Sequence, residues 1–135
     1  AISAALTGHL VFATLHTNNA PGAVTRLIDL GVQPFLLASA INGVLAQRLV
    51  RMICKDCQGK GCSNCFNSGY KGRTGIYELL IFNEKIKQLV VKESSTDILH
   101  KEAIASGMLT MRSDGLAKAA KGITSKEEVI RATQE

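Results

Sequence analysis

Residues 8–18 read GHLVFATLHTN, an apolar run with a histidine at each end and a polar group after the second one. The run from Leu10 to Leu15 is too short to span a membrane, and its length is typical of a strand buried on both faces of a parallel sheet. In open α/β sheets, ligands bind beyond the carboxyl ends of the strands. The pattern predicts a buried strand with His16 at the ligand-binding end and His9 at the other, although simple capping of the strand would also explain both histidines.

Helical patterns flank this run on both sides. Residues 1–6 are predicted as the end of a helix, and because the chain opens inside that helix without a methionine, we expect it to be a piece of a longer protein. An asparagine at 18 or 19 suits the cap of the next helix, since its side chain can accept a backbone hydrogen bond. Pro21 is tolerated in the first turn of that helix, and Gly31 suits the position after its last turn.

The middle of the chain is predicted as a long helix followed by two strands. Pro34 opens the helix, and Gly43 inside it costs about 1 kcal/mol relative to alanine. Residues 49–53 then form a short apolar strand that leads to the first cysteine, and residues 74–82 have strand propensity with partial alternation. The predicted helix carries one apolar stripe, formed by Phe35, Ala38, Ile41, Leu45 and Leu49.

The last part of the chain is predicted as a small helical subdomain. Ser125 and Glu128 open its final helix as a capping box, in which each side chain satisfies a backbone N–H of the other residue. The helical patterns cover residues 83–91, 97–105, 110–120 and 125–133.

Four cysteines form two C-x-x-C pairs, Cys54 with Cys57 and Cys62 with Cys65. Each pair places two thiolates on one side of a tight turn, and two such pairs complete a tetrahedron around zinc. Close pairs without a secretory signal favour a metal in a reducing compartment. Structural zinc is the favoured interpretation, and disulfides or an iron–sulfur cluster are the alternatives, the latter with different cysteine spacings. Protein ligands fill all four positions, so we do not expect catalysis at the metal.

Composition limits the classes of function. The chain has 135 residues, enough for one domain with one core, and its hydrophobic content of 46% is that of a globular protein. The net charge of +5 is spread among acidic residues and the aromatic content is 4%, which argues against a zinc ribbon that binds nucleic acid. The sequence contains no G-x-x-x-x-G-K-[ST] loop, and the glycines of residues 69–74 have the wrong spacing for a phosphate cradle. The chain alone is therefore not expected to bind Mg-ATP well.

Several long motifs, in one order along nearly the whole chain, resemble the secretion ATPases that power type II secretion and type IV pilus assembly. Residues 7–18 are similar to the His box of these motors. The resemblance implies an α/β fold, namely the C-terminal part of a RecA-like (P-loop NTPase) core with a four-cysteine zinc loop and a small C-terminal helical subdomain. The further matching segments are residues 20–31, 34–37, 44–51 and 69–80.

The resemblance also divides the chain into four segments. Residues 1–53 would be the tail of the RecA-like core with the His box, and residues 54–65 the tetracysteine zinc loop. Residues 66–82 would form a connecting strand, and residues 83–135 the helical subdomain. Many motors of this kind carry a tetracysteine subdomain here, but the link between their cysteine pairs is usually much longer than residues 58–61 of this chain.

The resemblance also implies roles for the candidate residues outside the cysteine loop. His16 approaches the γ-phosphate and reports on its presence, whereas His9 is the second histidine of the box, with a structural role. Arg73 would lie near the nucleotide base, with a surface ion pair as the alternative. The Walker A and Walker B motifs would lie upstream, so ATP and Mg²⁺ belong to the full-length protein and the isolated chain is expected to be inactive as an ATPase.

The resemblance further implies a homo-hexamer in the bacterial cytoplasm, peripheral to the cytoplasmic face of the inner membrane. There it would meet the inner-membrane platform proteins of a secretion or pilus system, with no nucleic-acid partner. The alternative function is a zinc-stabilised protein-interaction module without catalytic activity. The sequence upstream of residue 1 discriminates between the two, since a phosphate loop there supports the motor and its absence supports the module.

Overall fold

The computed structural model describes residues 1–134, and its only sheet in that range is a pair of strands, β1 and β2. A short 3₁₀ turn, Ser63–Cys65, lies between these strands. None of the helices in the same range has the length and hydropathy that crossing a bilayer requires. The strands are β1 (Gly43–Ile53) and β2 (Tyr70–Ile81), and the helices are α1 (Ile2–Leu6), α2 (Ala20–Asp29), α3 (Pro34–Ala40), α4 (Glu84–Val91), α5 (Thr96–Ala105), α6 (Met111–Ala120) and α7 (Lys126–Thr133).

The chain forms two compact units, each assembled from two stretches of sequence. The first unit contains Ala1–Ala46 and Glu78–Leu109, and the second contains Gln47–Tyr77 and the residues from Thr110 onward. Both strands therefore contribute residues to both units. The four predicted segments were defined by sequence motifs, whereas these two units are defined by packing, so the division into four segments stays a prediction.

The first unit has a continuous apolar core between its helices and its part of β2. Ile86 and Val90 on α4, and Leu99 and Ala103 on α5, recur four residues apart and so lie on one face of each helix. Burying a large apolar side chain contributes about 1.5–3 kcal/mol, so this core supplies much of the unit's stability. Its members are Ala20, Val24, Leu37, Ala38, Leu80, Phe82, Ile86, Val90, Leu99, Ala103 and Met108.

The long helix predicted from Pro34 to residue 49 is wrong beyond its first turns. Helix α3 ends at Ala40, Ile41 follows it directly, and the last two residues of the predicted stripe lie in β1, where Leu45 and Leu49 are 62% and 49% exposed. The less exposed residues of β1 alternate with these, which is the two-residue period of a strand. A short apolar run fits either period, and here pairing with β2 decides. The strand predicted over residues 49–53 is confirmed as the last part of β1.

Gly43, which would be unfavourable inside the predicted helix, has a clear role in β1. A Cβ atom on Gly43 would lie 3.0 Å from the carbonyl oxygen of Leu80, so glycine allows the two backbones to approach. The strand predicted over residues 74–82 is confirmed, although β2 begins earlier, at Tyr70. After its end, the N–H of Phe82 donates to a carbonyl just before β1, at 3.0 Å.

The buried strand predicted from Leu10 to Leu15 is also wrong for this chain. Residues 9–18 belong to no helix or strand, and Leu10 and Phe12 are 78% and 88% exposed. A strand exists only when its backbone groups pair with a neighbouring strand. Within residues 1–134 the only strands are β1 and β2, which pair with each other, so this run has no partner.

The four C-terminal helices are confirmed, and side-chain caps fix where three of them begin. The side chains of Asn83, Thr110 and Ser125 accept the backbone N–H three residues ahead, at 2.9, 3.1 and 3.2 Å. The capping box predicted for α7 is only half formed, however. Ser125 caps the helix, but the carboxylate of Glu128 binds arginine side chains instead.

Glu128 is the buried charge of the second unit, only 2% exposed. Its carboxylate accepts hydrogen bonds from the backbone N–H and guanidinium of Arg51 in β1 and from two nitrogens of Arg131 in α7. Hydrogen bonds from the Arg51 and Arg131 side chains hold the pKa of Glu128 far below its usual value. The carboxylate therefore remains charged and ties the last helix to the strand.

Further contacts complete the attachment of α7 to the strands. The guanidinium of Arg51 lies over the ring of Tyr70, 4.4 Å from its centre, and the Tyr70 hydroxyl is 2.8 Å from the Ser125 hydroxyl. The hydroxyl of Thr124, in the turn before α7, donates to the Arg51 carbonyl at 2.7 Å. These contacts join residues far apart in sequence, so α7 is held by tertiary structure rather than by its own propensity.

We expect Glu128→Gln to lower the melting temperature of the protein by roughly 5 °C or more at pH 7, because charge-assisted hydrogen bonds are lost. The folded pKa of Glu128 lies below the unfolded value of 4.5, so its stabilisation is complete above that pH and is lost as pH falls. Thermal melts between pH 3 and 7 should therefore show a weaker pH dependence in the variant. Glu127→Gln, the same change at an exposed neighbour, is the control, and equal effects of the two variants would contradict the assignment.

Candidate functional site

The histidine segment, residues 9–18, links α1 to α2. His9 and His16 are both exposed, so neither is part of a core in this chain. Nδ1 of His9 lies 3.2 Å from the hydroxyl of Thr7, a local contact with the end of α1. The structural role expected for His9 and the phosphate contact expected for His16 both stay predictions.

The start of α2 fixes the far end of this segment. Asn19 is the cap residue, and its side-chain oxygen accepts the N–H of Gly22 at 2.8 Å. The hydroxyl of Thr17 donates to the Asn19 carbonyl at 3.1 Å, which draws the last residues of the segment towards the cap. The helix cap predicted at residue 18 or 19 is thus confirmed at Asn19, and His16 lies three residues before it.

A second acceptor at the start of α2 comes from β2 and was missed by the sequence analysis. A carboxylate oxygen of Glu78 accepts the backbone N–H of Ala20 at 2.7 Å, and Glu78 is only 4% exposed. The sequence carries a signal for this residue, since Glu78 stands between Ile76 and Leu80 on the buried phase of the strand. A charged residue on that phase indicates a specific partner, because burying an unpaired charge is costly.

Arg73, the residue expected near the nucleotide base, lies on β2 in the second unit. Its side chain is exposed, and within residues 1–134 it forms no ion pair. The histidine segment, by contrast, belongs to the first unit. The role of Arg73 at the nucleotide stays a prediction.

The four cysteines do come together. The Sγ atoms of Cys54 and Cys62 are 3.9 Å apart, those of Cys57 and Cys65 are 3.8 Å apart, and those of Cys62 and Cys65 are 3.7 Å apart. A tetrahedron with metal–sulfur bonds of about 2.3 Å has sulfur–sulfur edges of about 3.8 Å. A disulfide needs about 2.05 Å, and all four thiols are free. The cluster can therefore hold one tetrahedral metal ion, and the four atoms lie within 4.8 Å of one another.

Two backbone N–H groups donate hydrogen bonds to sulfur atoms of the cluster. The N–H of Gly61 donates to the sulfur of Cys57, and the N–H of Cys62 donates to the sulfur of Cys65, both at 3.2 Å. Burial raises the pKa of Cys62 to about 11. Burial also opposes ionisation of Cys65, but backbone hydrogen bonds from Cys62 and Gly69 prevail and lower the pKa of Cys65 to about 6. A negative charge is thus stabilised inside the cluster, as a cationic metal requires.

Close backbone contact brings the two ends of the cysteine loop together. The N–H of Cys54, directly after β1, donates to the carbonyl of Gly69, directly before β2, at 2.9 Å. A Cβ atom on Gly69 would lie only 2.5 Å from the carbonyl oxygen of Gly59, and its φ of +77° favours glycine. Cys54 and Cys65 are buried, so the loop folds around two of its own ligands.

Comparison with known proteins gives consistent likenesses over the whole chain. Residues 1–131 match the family described as "Type II/IV secretion system protein". Type II secretion system protein HxcR of Pseudomonas aeruginosa is 50% identical over 143 aligned positions, which cover 100% of this chain and 30% of HxcR. Type II secretion system ATPase E of Vibrio cholerae is 44% identical over 160 positions, which cover 100% of this chain and 32% of that protein.

A solved structure shares the fold. The pilus retraction motor PilT with bound ADP matches with a TM-score of 0.74 and 28% identity, over 99% of this chain and 35% of PilT. The chain thus spans about a third of the length of the proteins it matches. The predicted fold class, a partial RecA-like α/β ATPase domain with a four-cysteine cluster, is confirmed.

Proposed function

Because the chain belongs to the type II/IV secretion system protein family, we propose that it is the C-terminal part of an ATPase that powers type II protein secretion or type IV pilus assembly. The observation that carries the proposal is the family match over residues 1–131, in a chain only about a third as long as its relatives. The Vibrio relative is named an ATPase, and PilT is a motor that holds ADP. The phosphate loop that this chain lacks would come from the rest of the protein.

ATP and Mg²⁺ are the proposed cofactors of that whole protein, with His16 as the sensor of the γ-phosphate. The exposure of His16 supports this role, because an imidazole N–H in the open can donate to a phosphate oxygen. His9 would support the segment, and Arg73 would lie near the base. The ligands for Mg²⁺ are proposed to lie with the Walker motifs in the rest of the protein.

Zinc is the proposed occupant of the cysteine cluster. Four thiolates at tetrahedral spacing suit zinc, and with every position filled by protein the ion would have a structural task. When bound, zinc supplies a cross-link between the end of β1, through Cys54, and the loop that leads into β2.

The proposed assembly is a homo-hexamer in the bacterial cytoplasm, peripheral to the cytoplasmic face of the inner membrane. Its proposed partners are the inner-membrane platform proteins of the secretion or pilus system, and no nucleic acid is expected to bind. This part of the proposal rests on the family alone. The alternative function is a zinc-stabilised interaction module without catalytic activity, with which the geometry of the cysteine cluster is also compatible.

ATP hydrolysis decides between these functions. We expect the 135-residue chain alone to show no turnover above a mock preparation, because positioning and charge stabilisation at the phosphates need a phosphate loop and a metal. The longer protein that contains this sequence should hydrolyse ATP under the same conditions. Turnover by the chain alone, or a longer protein with no phosphate loop, would contradict the proposed motor, and the second result would favour the interaction module.

His16→Ala, made in the longer protein, should lower kcat by about 10²–10³-fold, as loss of one transition-state donor does in other enzymes. Nucleotide affinity should change little, because the phosphate loop holds the ground state by many backbone donors. His9→Ala is the matched control and should alter the melting temperature more than kcat. Near-normal turnover of His16→Ala, or a main effect on affinity, would contradict the assigned role.

One zinc ion should bind per chain through Cys54, Cys57, Cys62 and Cys65. Elemental analysis of protein purified under reducing conditions without chelator measures this directly, and Cys65→Ser should lose the metal while Ser63→Ala keeps it. Structural zinc contributes roughly 10–16 kcal/mol of apparent binding energy in small peptides, so its removal should unfold the loop, while residues before Arg48 stay folded. Absence of bound metal in the unaltered protein would refute the assignment.

A further inference from the structure

Glu78 is a buried carboxyl residue in the interior of the first unit. The residue is 4% exposed, and burying a carboxylate costs several kcal/mol unless partners compensate. Its oxygen accepts the backbone N–H of Ala20 at 2.7 Å, at the short end of the normal range for N–H···O hydrogen bonds. Because 58 residues separate the two in sequence, this bond is purely tertiary.

Glu78 accepts a hydrogen bond from the first backbone donor of α2, and Asn19 accepts another at the same helix start. A helix begins with N–H groups that have no partner inside the helix. In α2, Ala20 donates to Glu78, Pro21 has no N–H, and Gly22 donates to the side chain of Asn19. The carboxylate also lies at the positive end of the helix dipole, which favours a negative charge. Glu78 and Asn19 together thus fix where α2 begins.

The start of α2 is also the end of the histidine segment. Residues 9–18 have no helix or strand of their own, and their exposed side chains give them little packing. At the α2 end, Thr17 donates to the carbonyl of Asn19, and His16 is its direct neighbour. The position of the His16 backbone therefore depends on how firmly the cap and Ala20 are held.

We propose that Glu78 is a positioning residue, which fixes the first turn of α2 and thereby aims His16 at the phosphate of a bound nucleotide. This inference rests on the function proposed above. In this proposal Glu78 acts through Ala20, Asn19 and the two residues that separate the cap from His16, and not by contact with the nucleotide. Its substitution should therefore reproduce a part of the loss seen when His16 itself is removed.

The test is a double-mutant cycle in the longer protein, with Glu78→Ala, His16→Ala and both together. Glu78→Ala should lower kcat about 10-fold, with nucleotide Kd changed less than about 3-fold, as expected for a contact that acts in the transition state. In the His16→Ala background, the same change should lower kcat less than about 2-fold further, because residues that act through one another are not additive. Glu78→Gln, which keeps an acceptor of the same shape, should retain most of the activity.

Glu128→Gln is the matched control, since it also neutralises a buried carboxylate but in the second unit. Any fold-loss of kcat that Glu128→Gln causes should be the same in the unaltered protein and in the His16→Ala background. Circular dichroism at the assay temperature, together with the melting temperature of each variant, establishes that the variant is folded during the assay. If Glu78→Ala is unfolded, Glu78→Asp replaces it in the cycle, because the shorter side chain cannot keep the 2.7 Å contact without movement.

The outcomes separate this inference from the proposed function. Suppose that His16→Ala lowers kcat. If the fold-losses of kcat caused by Glu78→Ala and His16→Ala multiply in the double variant, or if Glu78→Ala leaves kcat unchanged, Glu78 is structural only and the inference is overturned. If His16→Ala leaves turnover normal, the phosphate role of His16 is wrong and the inference falls with it. Loss of kcat on Glu78→Ala that disappears in the His16→Ala background supports the positioning role.

Discussion

Backbone pairing between β1 and β2 is the interaction on which the rest of the structure depends. Both strands contribute residues to both units, so each unit is built on its own part of one ladder. In the first unit the pairing sets Gly43 against the Leu80 carbonyl. In the second unit it brings Cys54, after β1, into contact with Gly69, before β2, and so closes the cysteine loop. Without this register the four thiols would not meet at tetrahedral spacing.

Two buried carboxylates attach helices to these strands, and each unit contains one of them. Glu78, on β2, accepts the first N–H of α2, while Glu128, on α7, accepts hydrogen bonds from Arg51 on β1. Buried charges are tolerated only with compensating partners, so each carboxylate tolerates little movement of the elements it joins. A strand–helix contact of this kind is more selective than apolar packing, because a shift of about 1 Å breaks a hydrogen bond while leaving apolar contacts partly intact. The strands therefore set where the functional segments lie.

Several features were determined by the sequence itself, because the physics behind them is local. The spacing of the cysteine pairs predicted the ligand set that the structure brings together. Helix caps such as Asn19 and Ser125 could be predicted for the same reason, since a cap and its donor lie three residues apart. The family followed from several motifs in one order, and the match over residues 1–131 confirms it.

Only the tertiary structure decided the remaining features, because their partners lie far away in sequence. The stripe through Leu45 fits a helix as well as a strand, and pairing with β2 chose the strand. The run from Leu10 reads as a buried strand, but burial needs neighbouring strands that residues 1–134 do not supply. The local sequence pattern predicted that Glu128 would bind the backbone of its own helix cap, but its carboxylate instead binds the guanidinium of Arg51, 77 residues away. The role of Glu78 was likewise identified only from its hydrogen bond with the N–H of Ala20. A sequence pattern can indicate that a polar side chain is buried, but not which group is its partner.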